Sequence, residues 1–94
     1  MRKYEAVFIF KANLEEAERV ALFDRFKGII EENGTISNID EWGLRKLAYE
    51  IKDEKEGYYI LVNFEAAYES IKEVDRIAKI TETVLRHMIV KIEE

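Results

Sequence analysis

Two runs of alternating apolar residues, separated by a short polar segment, constrain the fold of this chain most strongly. In the first run, Leu47, Tyr49 and Ile51 recur at period two. In the second run, the same spacing is shown by Tyr58, Ile60, Val62 and Phe64. Such alternation is typical of a β-strand with one buried face. Residues 52–57 between the runs are polar and end in glycine, as a longer hairpin loop does. The pattern predicts a β-hairpin.

The remaining periodicities predict two further strands and two helices. Residues 3–10 alternate as a first strand, and a helix begins at Asn13, an N-cap residue with Glu16 three positions later as its capping-box partner. The pair Asn33-Gly34 ends this helix. Its inward stripe consists of Val20, Phe23, Phe26 and Ile30.

The second strand is predicted over about residues 35–51, the third over 58–65, the second helix over 68–80 and the fourth strand over 83–92. Ile36 and Ile39 are out of phase with each other, which predicts a bulge near Gly43.

The element order βαββαβ predicts an α+β, ferredoxin-like fold that forms a single domain over residues 1–94. Right-handed crossovers give a four-stranded antiparallel sheet of order 4-1-3-2 with both helices on one face. The other face then stays uncovered on its two central strands. Outward positions on these strands belong to Val7, Ile9, Tyr59 and Leu61. An exposed apolar cluster marks a partner surface, although scattered exposed apolar residues are also normal.

The charge distribution limits any contact with nucleic acid to a small area. The formal net charge is −5, whereas a protein that relies on counterion release alone is basic. Residues 14–33 hold six acidic residues against three basic ones, but residues 1–11 hold three basic residues against Glu5 alone. RNA contacts are therefore predicted at the strand ends and the hairpin, with a second protein needed for strong binding.

The composition also indicates the cellular compartment of the protein. There is no cysteine, so disulfide and thiolate chemistry are absent. The longest apolar run, residues 6–10, is too short to span a bilayer, and no signal-peptide core follows Met1. These features predict a cytoplasmic protein.

Several cations are candidates for phosphate binding. Arg45 and Lys46 either clamp phosphates or are solvated charges at a bulge, and adjacent strand residues point to opposite faces. Arginine is the better RNA ligand because its planar fork binds phosphate bidentately and stacks on bases. Arg86 and His87 form a second cationic point, and Arg2 and Lys3 form a third. A single histidine supplies neither a metal site nor a triad, and its plain interpretation is a polar residue on an edge strand.

Trp42, the only tryptophan, allows three interpretations: it stacks on a base, anchors a protein partner, or caps the end of the core. The acidic runs around Glu16 and Glu54 are predicted to be solvated faces, because paired-carboxylate catalysis needs an apolar cleft.

The hairpin also resembles a known family. Residues 43–51 read Gly-Leu-Arg-Lys-Leu-Ala-Tyr-Glu-Ile, and Gly57 is followed by two tyrosines. This is similar to the Gly-x-Arg-Arg-Leu-Ala-Tyr-Pro-Ile pattern of the bacterial small-subunit ribosomal protein six family, except that Glu50 replaces the usual proline. The opening Met-Arg-Lys-Tyr-Glu resembles that family's first strand, and residues 84–91 resemble its last. The resemblance covers the whole chain.

The resemblance implies a non-enzymatic constituent of the small ribosomal subunit, without cofactor, metal, membrane or small-molecule substrate. It implies binding to the central domain of small-subunit ribosomal RNA together with ribosomal protein eighteen of the same subunit. The predicted RNA-binding residues are Arg2, Lys3, Arg45, Lys46, Arg86, His87 and Lys91. The predicted partner-binding residues are Val7, Ile9, Trp42, Tyr59 and Leu61.

Three alternatives share the predicted topology. An RNA-recognition motif needs a cation and a second aromatic residue on the third strand, where this chain has Glu56 and Ile60. A ferredoxin-like regulatory or sensor domain homodimerises through its sheet, and some dimeric enzymes use the same fold. The sequence contains no glycine-rich phosphate loop, metal cluster or cysteine nucleophile to favour an enzyme.

Overall fold

The fold follows the predicted order βαββαβ. The computed structural model describes residues 1–92. The elements are β1 (Arg2–Lys11), α1 (Glu16–Glu32), β2 (Thr35–Ile51), β3 (Glu54–Ala66), α2 (Tyr68–Ile80) and β4 (Val84–Lys91). All three strand pairs are antiparallel, and the sheet order β2-β3-β1-β4 confirms the predicted order 4-1-3-2. The bounds of β2 and α2 are those predicted, and β1 and β4 differ by one residue at each end.

The core lies between the sheet and the two helices. In the register of the central strands, Tyr4 faces Phe64, Ala6 faces Val62 and Phe8 faces Ile60. All six are buried, which confirms the predicted inward alternation. Phe8 lies at the centre of this core: its ring stacks on that of Phe26 of α1 at 4.8 Å. Such aromatic packing adds to the free energy gained from burial alone.

Helix α1 begins later than predicted. Lys11 and Leu14 close a turn through a backbone hydrogen bond of 3.3 Å, so Asn13 lies in this turn and does not cap the helix. The N-cap is Glu15, whose extended backbone (φ −63°, ψ 146°) makes no side-chain capping bond. The prediction that Val20 is inward was also wrong: its side chain is 48% exposed beside β2, whereas the other three residues of the predicted stripe are buried.

The hairpin loop predicted over residues 52–57 is instead a two-residue turn. Ile51 pairs with Glu54, and the turn residues Lys52 and Asp53 both have positive φ, 51° and 65°. Two consecutive positive φ angles are the signature of the type I′ turn, whose twist suits a β-hairpin. Strand β3 therefore begins at Glu54, four residues earlier than predicted.

Strand β2 is irregular, as predicted. Its register to β3 shifts between Glu41 and Gly43, and Gly43 adopts φ +80°, a conformation that glycine reaches without a Cβ clash. The register shifts again between Ile36 and Asn38 and between Lys46 and Ile51. These irregularities set which side chains of β2 reach the open face of the sheet.

Candidate interface on the open sheet face

The face of the sheet opposite the helices, here called the open face, carries the predicted apolar cluster. The register pairs Val7 with Leu61 and Ile9 with Tyr59, so these four residues are neighbours. Val7, Tyr59 and Leu61 are half-buried. Ile9, however, is only 4% exposed, so the prediction that its side chain is exposed was wrong. Residues of the β2–β3 hairpin cover it.

The open face extends further than predicted, onto edge strand β4. Met88 lies opposite Val7 and is 41% exposed, and Val90 lies opposite Glu5 and is 61% exposed. The sequence signal was present, because Met88 and Val90 alternate on the strand next to β1. Together with Val7 and Leu61 they form an apolar strip across three strands.

Trp42 belongs to the open face and not to the core. Its ring stacks on that of Tyr59 with 6.0 Å between centroids and 21° between planes. Its indole N–H donates a hydrogen bond of 2.9 Å to Asp40 Oδ2. Because 39% of the residue is exposed, the interpretation that Trp42 caps the core was wrong. The other two interpretations, base stacking and partner anchoring, stay open.

Arg45 and Lys46 are adjacent in sequence, but their side chains lie on opposite sides of the sheet. The guanidinium carbon of Arg45 lies 5.6 Å from the centre of the Trp42 ring, which places this cation beside the open face. Lys46 pairs in register with Glu56, and adjacent strand residues project to opposite sides. Only Arg45 of this pair therefore joins the aromatic residues of the open face.

The side chains of Arg86 and His87 also project to opposite faces of the sheet. Arg86 pairs in register with Ile9, and its guanidinium donates a hydrogen bond to the Tyr49 hydroxyl on β2. His87 pairs with Phe8 on the helix side, where its Nε2 lies 2.7 Å from Asp75 Oδ1 of α2.

The Asp75 carboxylate has two partners. One is His87, and the other is Lys79, whose Nζ lies 2.9 Å from Asp75 Oδ2. Hydrogen bonds from His87 and then Lys79 hold the pKa of the Asp75 carboxyl below its usual value. The structure thus ties His87 to helix α2, and a role for His87 as an RNA ligand stays a prediction.

The remaining predicted cations lie at the opposite end of the sheet. Arg2 pairs with Ala66 at the start of β1, and Tyr4 pairs with Lys91 at the end of β4. Ile9, the neighbour of Arg86, lies five residues beyond Tyr4 along β1, so the two ends are about 17 Å apart. We call Arg45, Lys46 and Arg86 the hairpin-end cations. The terminal-end cations are Arg2, Lys3 and Lys91.

Residues 1–92 contain no group of three or more histidine, aspartate or glutamate side chains placed to hold a metal ion. Over the same residues, no helix is both long enough and apolar enough to cross a membrane. The fold and this surface define a small binding protein whose candidate recognition surface is an open sheet face flanked by cations.

Comparison with known proteins gives the family. A family model described as "Ribosomal protein S6" matches residues 3–91. The chain is 57% identical to small ribosomal subunit protein bS6 of Alkaliphilus oremlandii over 94 residues, which is the full length of both chains. It is 55% identical to the protein of that name from Clostridium botulinum over 91 residues, 96% of this chain and 97% of the relative.

A solved structure agrees with both matches. The crystal structure of 30S ribosomal protein S6 from Thermotoga maritima superposes with a TM-score of 0.90 at 35% identity, covering 97% of this chain and 87% of that one. The chain belongs to the ribosomal protein S6 family, and it is a structural, non-enzymatic component of the small subunit of the bacterial ribosome, in the cytoplasm.

Proposed function

We propose that this protein binds the central domain of small-subunit ribosomal RNA jointly with ribosomal protein eighteen of the same subunit. The observation that carries the proposal is the layout of the open face. An aromatic and apolar surface crosses its middle, and cations lie at both of its ends in a chain with a net charge of −5.

The middle of the open face suits a protein partner. The apolar strip consists of Val7, Leu61, Met88 and Val90, and the stacked pair of Trp42 and Tyr59 borders it. Aromatic side chains of this kind dominate the binding energy of protein interfaces when a partner excludes water from them. Ile9 is buried beneath the hairpin, so it supports this surface without being exposed on it.

The two ends suit phosphate groups. Arg45 and Arg86 are exposed at the hairpin end, and Arg2 and Lys91 are exposed at the terminal end. Contacts to phosphate fix the position of a protein on RNA and supply much of its affinity. The acidic residues of α1 belong to a helix on the covered side of the sheet, so they are not part of the open face itself.

A partner protein resolves the conflict between the negative net charge and RNA binding. Four to six cations at two separated places give a small electrostatic contribution, and a basic partner on the open face adds its own phosphate contacts. The two proteins then share one RNA site, and each raises the affinity of the other.

The proposal is tested by measuring the binding of a central-domain ribosomal RNA fragment with and without ribosomal protein eighteen. We expect weak binding by this chain alone and strong, specific binding by the pair. Strong binding by the isolated chain would contradict the need for a partner. Formation of a stable homodimer through the open face, detected by sedimentation, would contradict the use of this face for ribosomal protein eighteen.

A further inference from the structure

The tip of the β2–β3 hairpin bends over the open face and reaches the far edge of the sheet. Tyr49 of β2 bonds to Arg86 of β4, although β3 and β1 lie between these two strands. In a flat sheet the two strands would be about 14 Å apart, three inter-strand spacings. A second contact crosses the same gap, because Lys52 Nζ lies 3.4 Å from the carbonyl oxygen of Val84.

The sequence accommodates this bend through a glycine. Gly57 is buried, and a Cβ built on it would lie 2.4 Å from Ile9 Cγ2 and 3.5 Å from Leu47 Cδ2. The missing side chain leaves room for Ile9 of β1 and Leu47 of the hairpin to approach each other. This packing also explains why Ile9 is buried on an otherwise open face.

The contact between Tyr49 and Arg86 differs from the ion pair that Arg76 forms. Arg76 is paired with the carboxylate of Glu73 through two hydrogen bonds of 2.7 and 3.0 Å, so its charge is neutralised. Arg86 instead meets a neutral hydroxyl, and among residues 1–92 it forms no ion pair. Its positive charge and most of its five N–H donors therefore stay available to a phosphate.

We infer that Tyr49 is a positioning residue for Arg86: its hydroxyl holds the guanidinium at the hairpin end of the open face, ready to bind an RNA phosphate. The inference rests on the proposed RNA binding by Arg86. An arginine that is ordered before binding loses less side-chain entropy when the phosphate arrives. Because the acceptor is neutral, this ordering does not weaken the attraction between Arg86 and the phosphate.

The test is the variant Tyr49→Phe, which keeps the ring and removes the hydroxyl. With ribosomal protein eighteen present, we expect it to bind the central-domain RNA fragment about three- to tenfold more weakly, the net value of one ordinary hydrogen bond. The salt dependence of binding should stay as in the parent protein, because Arg86 still contacts the phosphate. In Arg86→Ala, by contrast, the slope of log affinity against log salt falls by about one.

A double-mutant cycle separates positioning from an independent contact. If Tyr49 acts through Arg86, then Tyr49→Phe has no further effect in an Arg86→Ala background. The matched control is Tyr68→Phe, since Tyr68 is also exposed but lies on α2, away from the open face. The control variant should bind RNA as the parent protein does, and the thermal unfolding of both tyrosine variants should be unchanged.

Additive losses from Tyr49→Phe and Arg86→Ala would overturn the inference, as would a loss of RNA binding that parallels a loss of stability. If Arg86→Ala weakens binding and Tyr49→Phe does not, then only the inference fails. If Arg86→Ala itself has no effect, then the proposed RNA contact fails and the inference falls with it.

Discussion

The two faces of the same sheet are built from alternate residues of the same strands, yet they have different compositions and different uses. Under the helices, Phe8 and Phe64 are almost fully buried and belong to the hydrophobic core. On the open face, the neighbours of Phe8 along β1 pair with half-buried Tyr59 and Leu61, with exposed Met88 and with the cation Arg86. Since folding needs only one buried face, the other is free to carry a binding surface.

Substitution of adjacent residues of β1 compares the two faces directly. Phe8→Ala should lower the free energy of unfolding by about 3–5 kcal/mol, because it leaves a cavity at the centre of the core. Val7→Ala removes a half-buried side chain on the open face and should cost about 1 kcal/mol. Urea unfolding of both variants measures the difference. Equal costs would mean that the open face is as important for stability as the core.

Tyr59→Asp tests the open face as a protein interface. We expect the affinity for ribosomal protein eighteen to fall by about 2 kcal/mol or more, because a charge would replace an aromatic contact. The free energy of unfolding should change by less than about 1 kcal/mol, since a partly exposed strand position tolerates polarity. Calorimetric titration and urea unfolding provide the two values, with Tyr68→Asp on α2 as the control. An unfolded Tyr59→Asp protein would contradict this account of the open face.

On the helix side, the bond between Asp75 and His87 predicts a small dependence of stability on pH. The pKa of Asp75 is lowered in the folded protein, so its contribution is present above the unfolded pKa, near 3.8, and is lost as the pH falls through the folded pKa. Asp75→Asn should therefore lower stability at pH 6 by less than about 1 kcal/mol, because the carboxyl is partly exposed. The difference from the parent protein should vanish in strong acid. Thermal unfolding across this range checks both the sign and the size.

The sequence predicted the helix-covered face better than the open face. Alternation in β1 and β3 identifies which residues point inward, because burial of one face is a property of each strand by itself. The start of α1 was missed because Asn13 is a good capping residue by type. In the structure it lies inside the turn that Lys11 and Leu14 close, before the helix begins. The hairpin turn was missed because neither Lys52 nor Asp53 is a glycine, although both adopt positive φ.

The site depends on contacts that no local pattern reveals. Ile9 is buried because a hairpin about 40 residues later in the chain bends over it, and His87 is tied to Asp75 of a different element. The link between Tyr49 and Arg86 spans 37 residues and two intervening strands. Period-two alternation gives the face of a residue, but only the packed structure shows what covers it.

The central claim is that RNA is bound by cations at the edges of the open face and not by the charge of the protein as a whole. The measurement is the affinity of the central-domain RNA fragment, with ribosomal protein eighteen present, over a range of salt concentrations. Arg45→Ala and Arg86→Ala are compared with Lys27→Ala on α1 and Lys72→Ala on α2, which remove the same charge from the helix-covered side.

We expect each arginine variant to lose about 1–3 kcal/mol of binding free energy and to lower the salt slope by about one. The two lysine variants should bind as the parent protein does. Equal losses from all four substitutions would show that only the overall charge matters, and would contradict the assignment of the binding surface to the open face.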